Sequence, residues 1–208
     1  DHPSGVGPGP GDTVLIANRG AVVPRVIESC RALGMRVAVV HSDADAAASY
    51  LDLADSVHAI GGEAPADSYL SIPRLLDAAS AAGATAIHPG YGFLSENPEF
   101  AGAVRSAGMV FIGPDARWLK AMGHKTEARR LMAAEGMPTG PSSGVLGDDP
   151  AEARAAAAAI GFPVLVKPAE GGGGIGMLAA RDPAELDKAI DRARTMAARS
   201  FGSAQIYL

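Results

Sequence analysis

A lysine that closes an apolar run and opens onto bare glycines is the sharpest chemical signal in the sequence. Val164-Leu-Val-Lys167 leads through Pro168-Ala-Glu170 into four consecutive glycines, Gly171 to Gly174, with Gly176 two residues further on. Glycine lets backbone N–H groups crowd around a polyanion with no side chain in the way. A lysine at the same place can bring its ammonium to the same oxygens. Gly-Lys-Ser/Thr is absent and no helical pattern follows directly, so this is neither a Walker loop nor a dinucleotide fingerprint. A hairpin flap that closes over phosphates fits. The glycines alone fit a ligand-free mobile hairpin equally well; Lys167 tips the reading towards phosphate.

A second lysine is similar in kind. Lys125 follows Met122-Gly-His124 and opens a helical pattern, so its charge and the helix's first N–H groups could face an anion together. Taken alone it reads better as a surface lysine. The third feature is His88-Pro-Gly-Tyr-Gly-Phe-Leu-Ser-Glu-Asn97, which follows a short apolar run. Gly90 and Gly92 permit unusual backbone angles, and His88, Tyr91, Glu96 and Asn97 offer polar groups. A buried histidine bonded to backbone accounts for His88 better than catalysis does. The five histidines, His2, His41, His58, His88 and His124, show no metal-ligand spacing. No serine elbow is present. Asp43 and Asp45 follow a strand pattern and could cap a helix. Phe111 and Trp118 read as core.

These residues need a scaffold, and the patterns supply one. Apolar runs at 13–17, 36–40, 56–60, 85–88 and 109–112 alternate with helical spacing over 22–33 and 72–82 and a helix opening near Pro98. Strands at that spacing imply βαβ units and a parallel sheet covered on both faces. Asn18-Arg19-Gly20 is a turn signal after the first run. The character then changes. Two helices in succession cover 115–122 and 125–135, and a Gly/Pro/Ser-rich linker covers 138–150. A helix over 152–160, a strand over 163–167, a return strand over 177–180, a helix over 183–199 and a strand from Gln205 complete the chain. Strand, short loop, strand is a hairpin, which predicts an antiparallel sheet.

Composition removes several functional classes. In 208 residues, 48% are hydrophobic and 20% charged, which is globular rather than disordered. The single cysteine, Cys30, rules out an internal disulfide framework and points to a reducing, cytoplasmic setting. A net charge of −5 with 18 Lys and Arg argues against nucleic-acid binding by bulk charge. No apolar run reaches the roughly 18 residues of a membrane span. The opening segment has neither a basic nor an apolar signal region and reads as a flexible tail over residues 1–12.

Taken in order, five segments resemble the biotin carboxylases, the ATP-grasp components of acetyl-, propionyl- and pyruvate-type carboxylases. They are Val14-Leu-Ile-Ala-Asn-Arg-Gly20, Ala86 to Asn97, Phe111-Ile-Gly-Pro114, Met122-Gly-His-Lys125 and Val166 to Met177. The resemblance covers about residues 13 to 208. It implies an α/β fold: a parallel-sheet, Rossmann-like domain preceding the ATP-grasp, over 13–123, a connecting helix over 124–139, and the start of an ATP-grasp lid with an antiparallel hairpin over 140–208. It also implies a reaction. ATP activates bicarbonate to carboxyphosphate, and the carboxyl group passes to biotin on a carrier protein. Lys125 and Lys167 match the family's ATP-binding lysines, and Gly173 and Gly174 match glycines of its flap. Tyr91 and Gly92 would lie in a loop facing biotin. The implied partners are Mg²⁺ or Mn²⁺, a biotin carboxyl carrier, further copies of the same chain and a carboxyltransferase subunit, with neither nucleic acid nor membrane.

The sequence also departs from the family. Ala21-Val-Val-Pro24 stands where Glu-Ile-Ala is usual, and Ile175 stands where an arginine is frequent. Tyr207-Leu208 comes just before the place of the family's adenine hinge, and the acidic metal ligands and catalytic arginines would follow it. The expectation is therefore the amino-terminal part of such an enzyme, with no metal site of its own, no turnover in isolation, and a final strand without its usual partners. Competing readings are a non-catalytic nucleotide- or partner-binding module, an ATP-grasp ligase with another acceptor, which the His88 to Asn97 segment opposes, and an oxidoreductase, which Ala17-Asn-Arg-Gly20 opposes.

Overall fold

The computed structural model describes residues 7–170 and 174–208, arranged as two units, one ending at Leu119 and one running from Lys120 to Leu208. The first unit is built on a parallel sheet of β1 (Thr13–Ile16), β2 (Arg36–His41), β3 (Ser56–Ala59), β4 (Ala86–His88) and β5 (Val110–Phe111), in the order β3-β2-β1-β4-β5. All four residues of β1 are buried, as a strand covered on both faces requires.

Alternation along the strands sorts the core into two layers. Leu15, Ala38, Val40 and Ile87 point to one face. There they meet Leu75, Ala78 and Ala79 of α2 (Ile72–Ala81) and Phe100, Ala101 and Val104 of α3 (Pro98–Ser106). Val14, Ile16, Val37, Val39 and Ala86 point to the other, against Val23, Val26, Ile27 and Cys30 of α1 (Val22–Ala32). Burying a side chain such as Leu75 or Phe100 contributes about 1.5–3 kcal/mol relative to exposure. α3 begins where the Asn97 side chain accepts the Phe100 N–H at 2.9 Å, with Pro98 in its first turn. Gly9 to Asp12, part of the expected tail, are tied down. The Gly11 N–H donates to the Gly34 carbonyl at 2.9 Å, and the Gly9 N–H to the Asp12 carboxylate at 2.8 Å.

The strand order has one consequence for function. The chain moves outward from β1 through β2 to β3, then returns to the other side of β1 as β4. The carboxyl ends of β1 and β4 therefore flank a topological switch point, where parallel sheets open a crevice. Asn18 follows one of these ends and His88 closes the other.

The second unit has its own core. After α4 (Ala116–Gly123), which contains the boundary, come α5 (Lys125–Ala134), α6 (Pro150–Ile160), β6 (Val164–Pro168), β7 (Leu178–Ala180), α7 (Pro183–Phe201) and β8 (Ile206–Tyr207). Val164, Val166, Ala180 and Ile206 pack with Ala153 and Ala157 of α6 and Leu186, Ile190 and Ala193 of α7. Asp149 and Asp182 cap α6 and α7, and Gly202, at φ +73°, ends α7 in the left-handed conformation.

The fold expectation holds in its class: a parallel sheet, then a separate antiparallel one. Three details differ. The final strand, expected to lack its usual partners, has one strand partner among the described residues. β8 pairs antiparallel with β6, Lys167 opposite Tyr207, in a sheet of order β7-β6-β8. β6 has two edges, and the hairpin to β7 fills only one of them. Trp118 is 47% exposed rather than core, with the Arg117 guanidinium 5.1 Å from its ring centroid. Asp43 and Asp45 lie in a short 3-10 turn (Asp43–Asp45) and cap no helix; Asp45 is buried and bonded elsewhere.

Candidate functional site

The phosphate-type residues come together within the second unit. In β6 the side chains alternate: Val164 and Val166 enter the core, so Lys167 emerges half-buried at the end of the strand. Its Nζ sits 5.5 Å from the ring centroid of Tyr207, a contact worth about 0.5–1 kcal/mol. Lys125 is the first residue of α5, where the helix presents its positive end. Its backbone N–H donates to the Ala169 carbonyl at 3.3 Å, and the Ala169 N–H donates to the Gln205 carbonyl at 2.9 Å. The helix start is thus stitched to the residues that lead into the glycines.

Lys125 and Lys167 line one cavity of about 20 Å³, with Glu170, Gly174 and Ile175 around it. That is room for about one water. Gly174 has φ +77°, and Gly176, at φ +76°, lies so close to Pro168 that an added Cβ would stand 3.0 Å from its Cγ. Two lysines and a glycine thus line one small cavity, a residue set whose chemistry suits an anion. Gly173 lies outside the described residues. Among the described residues lining the cavity, Glu170 is the one carboxylate, and the sequence reading passed over it. Its place between the lysine and the glycines was the available signal.

The second candidate surface belongs to the first unit, at the switch point. Tyr91 is 66% exposed, and Gly92 follows it at φ +67°. His88 is half-buried; burial lowers its pKa, and its Nδ1 accepts the Gly90 N–H at 3.0 Å. The ring is therefore neutral, with its proton on Nε2. Asn97 is spent on capping α3. Beneath the loop lies a polar network that sequence reasoning missed. Arg19 pairs with Asp45 at 2.7 Å, and the Asp45 carboxylate also accepts the Tyr69 hydroxyl at 2.7 Å and the Ser42 hydroxyl at 3.0 Å. Burial, then the hydrogen bond to Asp45, push the Tyr69 phenol upward, so it stays a donor. Apart from Ser42 and Asp45, these residues lie tens of positions apart, and no local pattern joins Arg19, Asp45 and Tyr69. Asn18 read locally as a turn residue, yet it is 2% exposed and bonded to the loop.

This is the class of α/β protein in which a parallel-sheet unit precedes a unit on an antiparallel sheet that carries two lysines beside a glycine. Residues 10–119 match the family described as biotin carboxylase, N-terminal domain, and residues 124–208 match the ATP binding domain of the carbamoyl-phosphate synthase L chain. The chain belongs to the biotin carboxylase family. It is 44% identical over 198 residues to biotin carboxylase of Pseudomonas aeruginosa, an alignment covering 95% of this chain and 44% of that protein. It is 44% identical over 199 residues to the chloroplastic biotin carboxylase of Arabidopsis thaliana, over 95% of this chain and 37% of that protein. Among solved structures, the β,γ-ATP complex of Campylobacter jejuni biotin carboxylase superposes with a TM-score of 0.90 at 38% identity, covering 94% of this chain and 44% of that one. A biotin carboxylase domain dimer from Hydrogenobacter thermophilus 2-oxoglutarate carboxylase, with MgADP, ADP and bicarbonate, gives 0.88 at 38% identity, over 94% of this chain and 43% of that one. The chain thus spans less than half the length of these relatives.

Proposed function

We propose that this chain supplies the first α/β domain and part of the nucleotide grip of a biotin carboxylase. The reaction is ATP- and bicarbonate-dependent carboxylation of biotin on a carrier protein, within an acyl-CoA, pyruvate or urea-type carboxylase of the cytoplasm. The observation that carries the reading is the convergence of Lys125 and Lys167 on one cavity beside Gly174. In the reaction a bicarbonate oxygen bonds to the γ-phosphorus while the bond to the bridging oxygen breaks and ADP leaves. The carboxyphosphate then passes its carboxyl group to a ureido nitrogen as its bond to phosphate breaks, and the released phosphate takes up the nitrogen's proton. The two ammonium groups offset the charge on the phosphate oxygens and hold the nucleotide in line. Gly173 and Gly174 would close over the phosphates, and Tyr91 and Gly92 would face biotin.

Among the described residues no group of three or more His, Cys, Asp or Glu could hold a metal ion by itself. Also among them, no helix is long and apolar enough to cross a membrane. The carrier, the carboxyltransferase and a second copy of this chain are the proposed partners. In organisation, residues 124–139 connect the first domain to a lid that begins near 140.

The test is bicarbonate-dependent release of ADP from ATP by the full-length protein, stimulated by free biotin. Lys167→Gln and Lys125→Gln are each expected to raise the KM for ATP by about tenfold or more. The 208-residue chain by itself is expected to show no bicarbonate-dependent cleavage. Full-length protein with no bicarbonate dependence, or two lysine variants with unchanged KM for ATP, would overturn the reading.

A further inference from the structure

We infer that Asn18 is the positioning residue for the Tyr91 loop, setting how well the site takes its flat cyclic-urea acceptor; the inference rests on the carboxylase reading above. Both hydrogens of the Asn18 amide are spent on the loop. Nδ2 donates to the Pro89 carbonyl at 2.7 Å and to the Tyr91 carbonyl at 2.8 Å, while Oδ1 accepts the Arg19 N–H at 2.9 Å. That set fixes the amide's orientation, because a flipped group would aim its oxygen at two carbonyls. Gly90, between the two accepting residues, holds φ +66° and lies so close that an added Cβ would stand 2.6 Å from Nδ2. The backbone is drawn flat against the asparagine.

The far side of the loop is anchored independently. Phe93, at φ +42°, is the one non-glycine residue with positive φ among those described. It stacks on the wholly buried Tyr69, ring centroids 5.0 Å apart and planes 18° from parallel. The Tyr69 hydroxyl is bound to Asp45, which pairs with Arg19, the neighbour of Asn18. The backbone of Tyr91 and Gly92 is thus held from both sides, while the Tyr91 ring stands in solvent. An exposed ring adds little to the stability of the fold. Anchoring the backbone beneath it cuts the ordering cost of binding a ligand against the ring. The lysine cavity is lined by residues of the second unit and the loop belongs to the first, so the two half-reactions are read separately in the test.

The experiment compares full-length wild type with Asn18→Ala. The expected result is a rise of about tenfold in the KM for free biotin, with kcat and biotin-independent, bicarbonate-dependent ATP cleavage within about twofold of wild type. Hydrogen exchange at the Gly90 amide accelerates in the same variant. Gly90→Ala, which displaces the loop while keeping Asn18, gives the same split and serves if Asn18→Ala fails to fold. An unchanged KM for biotin, an unchanged exchange rate, or a parallel fall of both half-reactions overturns the inference. Wild-type protein that cleaves ATP without any response to biotin overturns the carboxylase reading itself, and exchange at Gly90 then still decides whether Asn18 holds the loop.

Discussion

At the scale of single residues, the environment decides what each ionisable group does. His88 has a lowered pKa because burial penalises its charged ring. The unfolded chain takes up the proton near the ordinary value of about 6.5, and the folded chain takes it up only at lower pH. The stability due to neutral His88 is therefore complete above that value and is lost as pH falls through the folded pKa. Urea denaturation at pH 8 and pH 5.5 should show this loss in the wild type and a smaller one in His88→Asn, whose side-chain oxygen can still accept from Gly90. Glu170 is a different case. A carboxylate lining the same cavity as two lysines is expected to lower its attraction for an anion. Glu170→Gln is expected to tighten ATP binding by the full-length protein roughly fivefold, about 1 kcal/mol, read by titration calorimetry. Residues of this kind were the least legible in the sequence. Lys125 and Lys167 stood out because cations beside glycines have a known chemistry. Asn18, Asp45 and Tyr69 did not, because their partners are set by the crossing of strands.

At the scale of elements, local rules account for most of what forms. α1, α2 and α3 carry apolar residues at helical spacing, and the proline-led first turns of α2 and α3 agree with their starts. Asn97→Ala removes the acceptor for the Phe100 N–H and is expected to cost about 1 kcal/mol in urea denaturation. Leu15→Ala, in a strand with no exposed residue, is expected to cost about 2–5 kcal/mol. The same rules explain the misses. Hairpin pairing of β6 with β7 follows from proximity along the chain, whereas β8 reaches the other edge of β6 only after α7 intervenes. Trp118 has an apolar ring, but its helix exposes that position, and hydrophobicity alone cannot tell a core face from an outward one.

At the scale of the whole molecule, the chain carries separate cores: two layers around the parallel sheet and one in the second unit, with no residue shared between the units. Destabilisation should then stay where it is introduced. Val166→Ala is expected to speed hydrogen exchange in β6, β7 and α7 while leaving β1 and β2 at wild-type rates; uniform acceleration would show that the units unfold as one. The division also matches the chemistry proposed. One unit carries the cationic grip and the other presents an aromatic loop, so defects in nucleotide handling and in acceptor handling should map to different parts of the sequence.

The ring of Tyr207 under the Lys167 ammonium gives the protein an optical reporter of its own. A positive charge near a phenol perturbs its ultraviolet absorption, and any oxyanion that draws the ammonium aside removes the perturbation. Of the four tyrosines in the sequence, only Tyr207 has a lysine over its face among the described contacts, so a difference spectrum lost in Tyr207→Phe would follow occupancy without label or coupled enzyme.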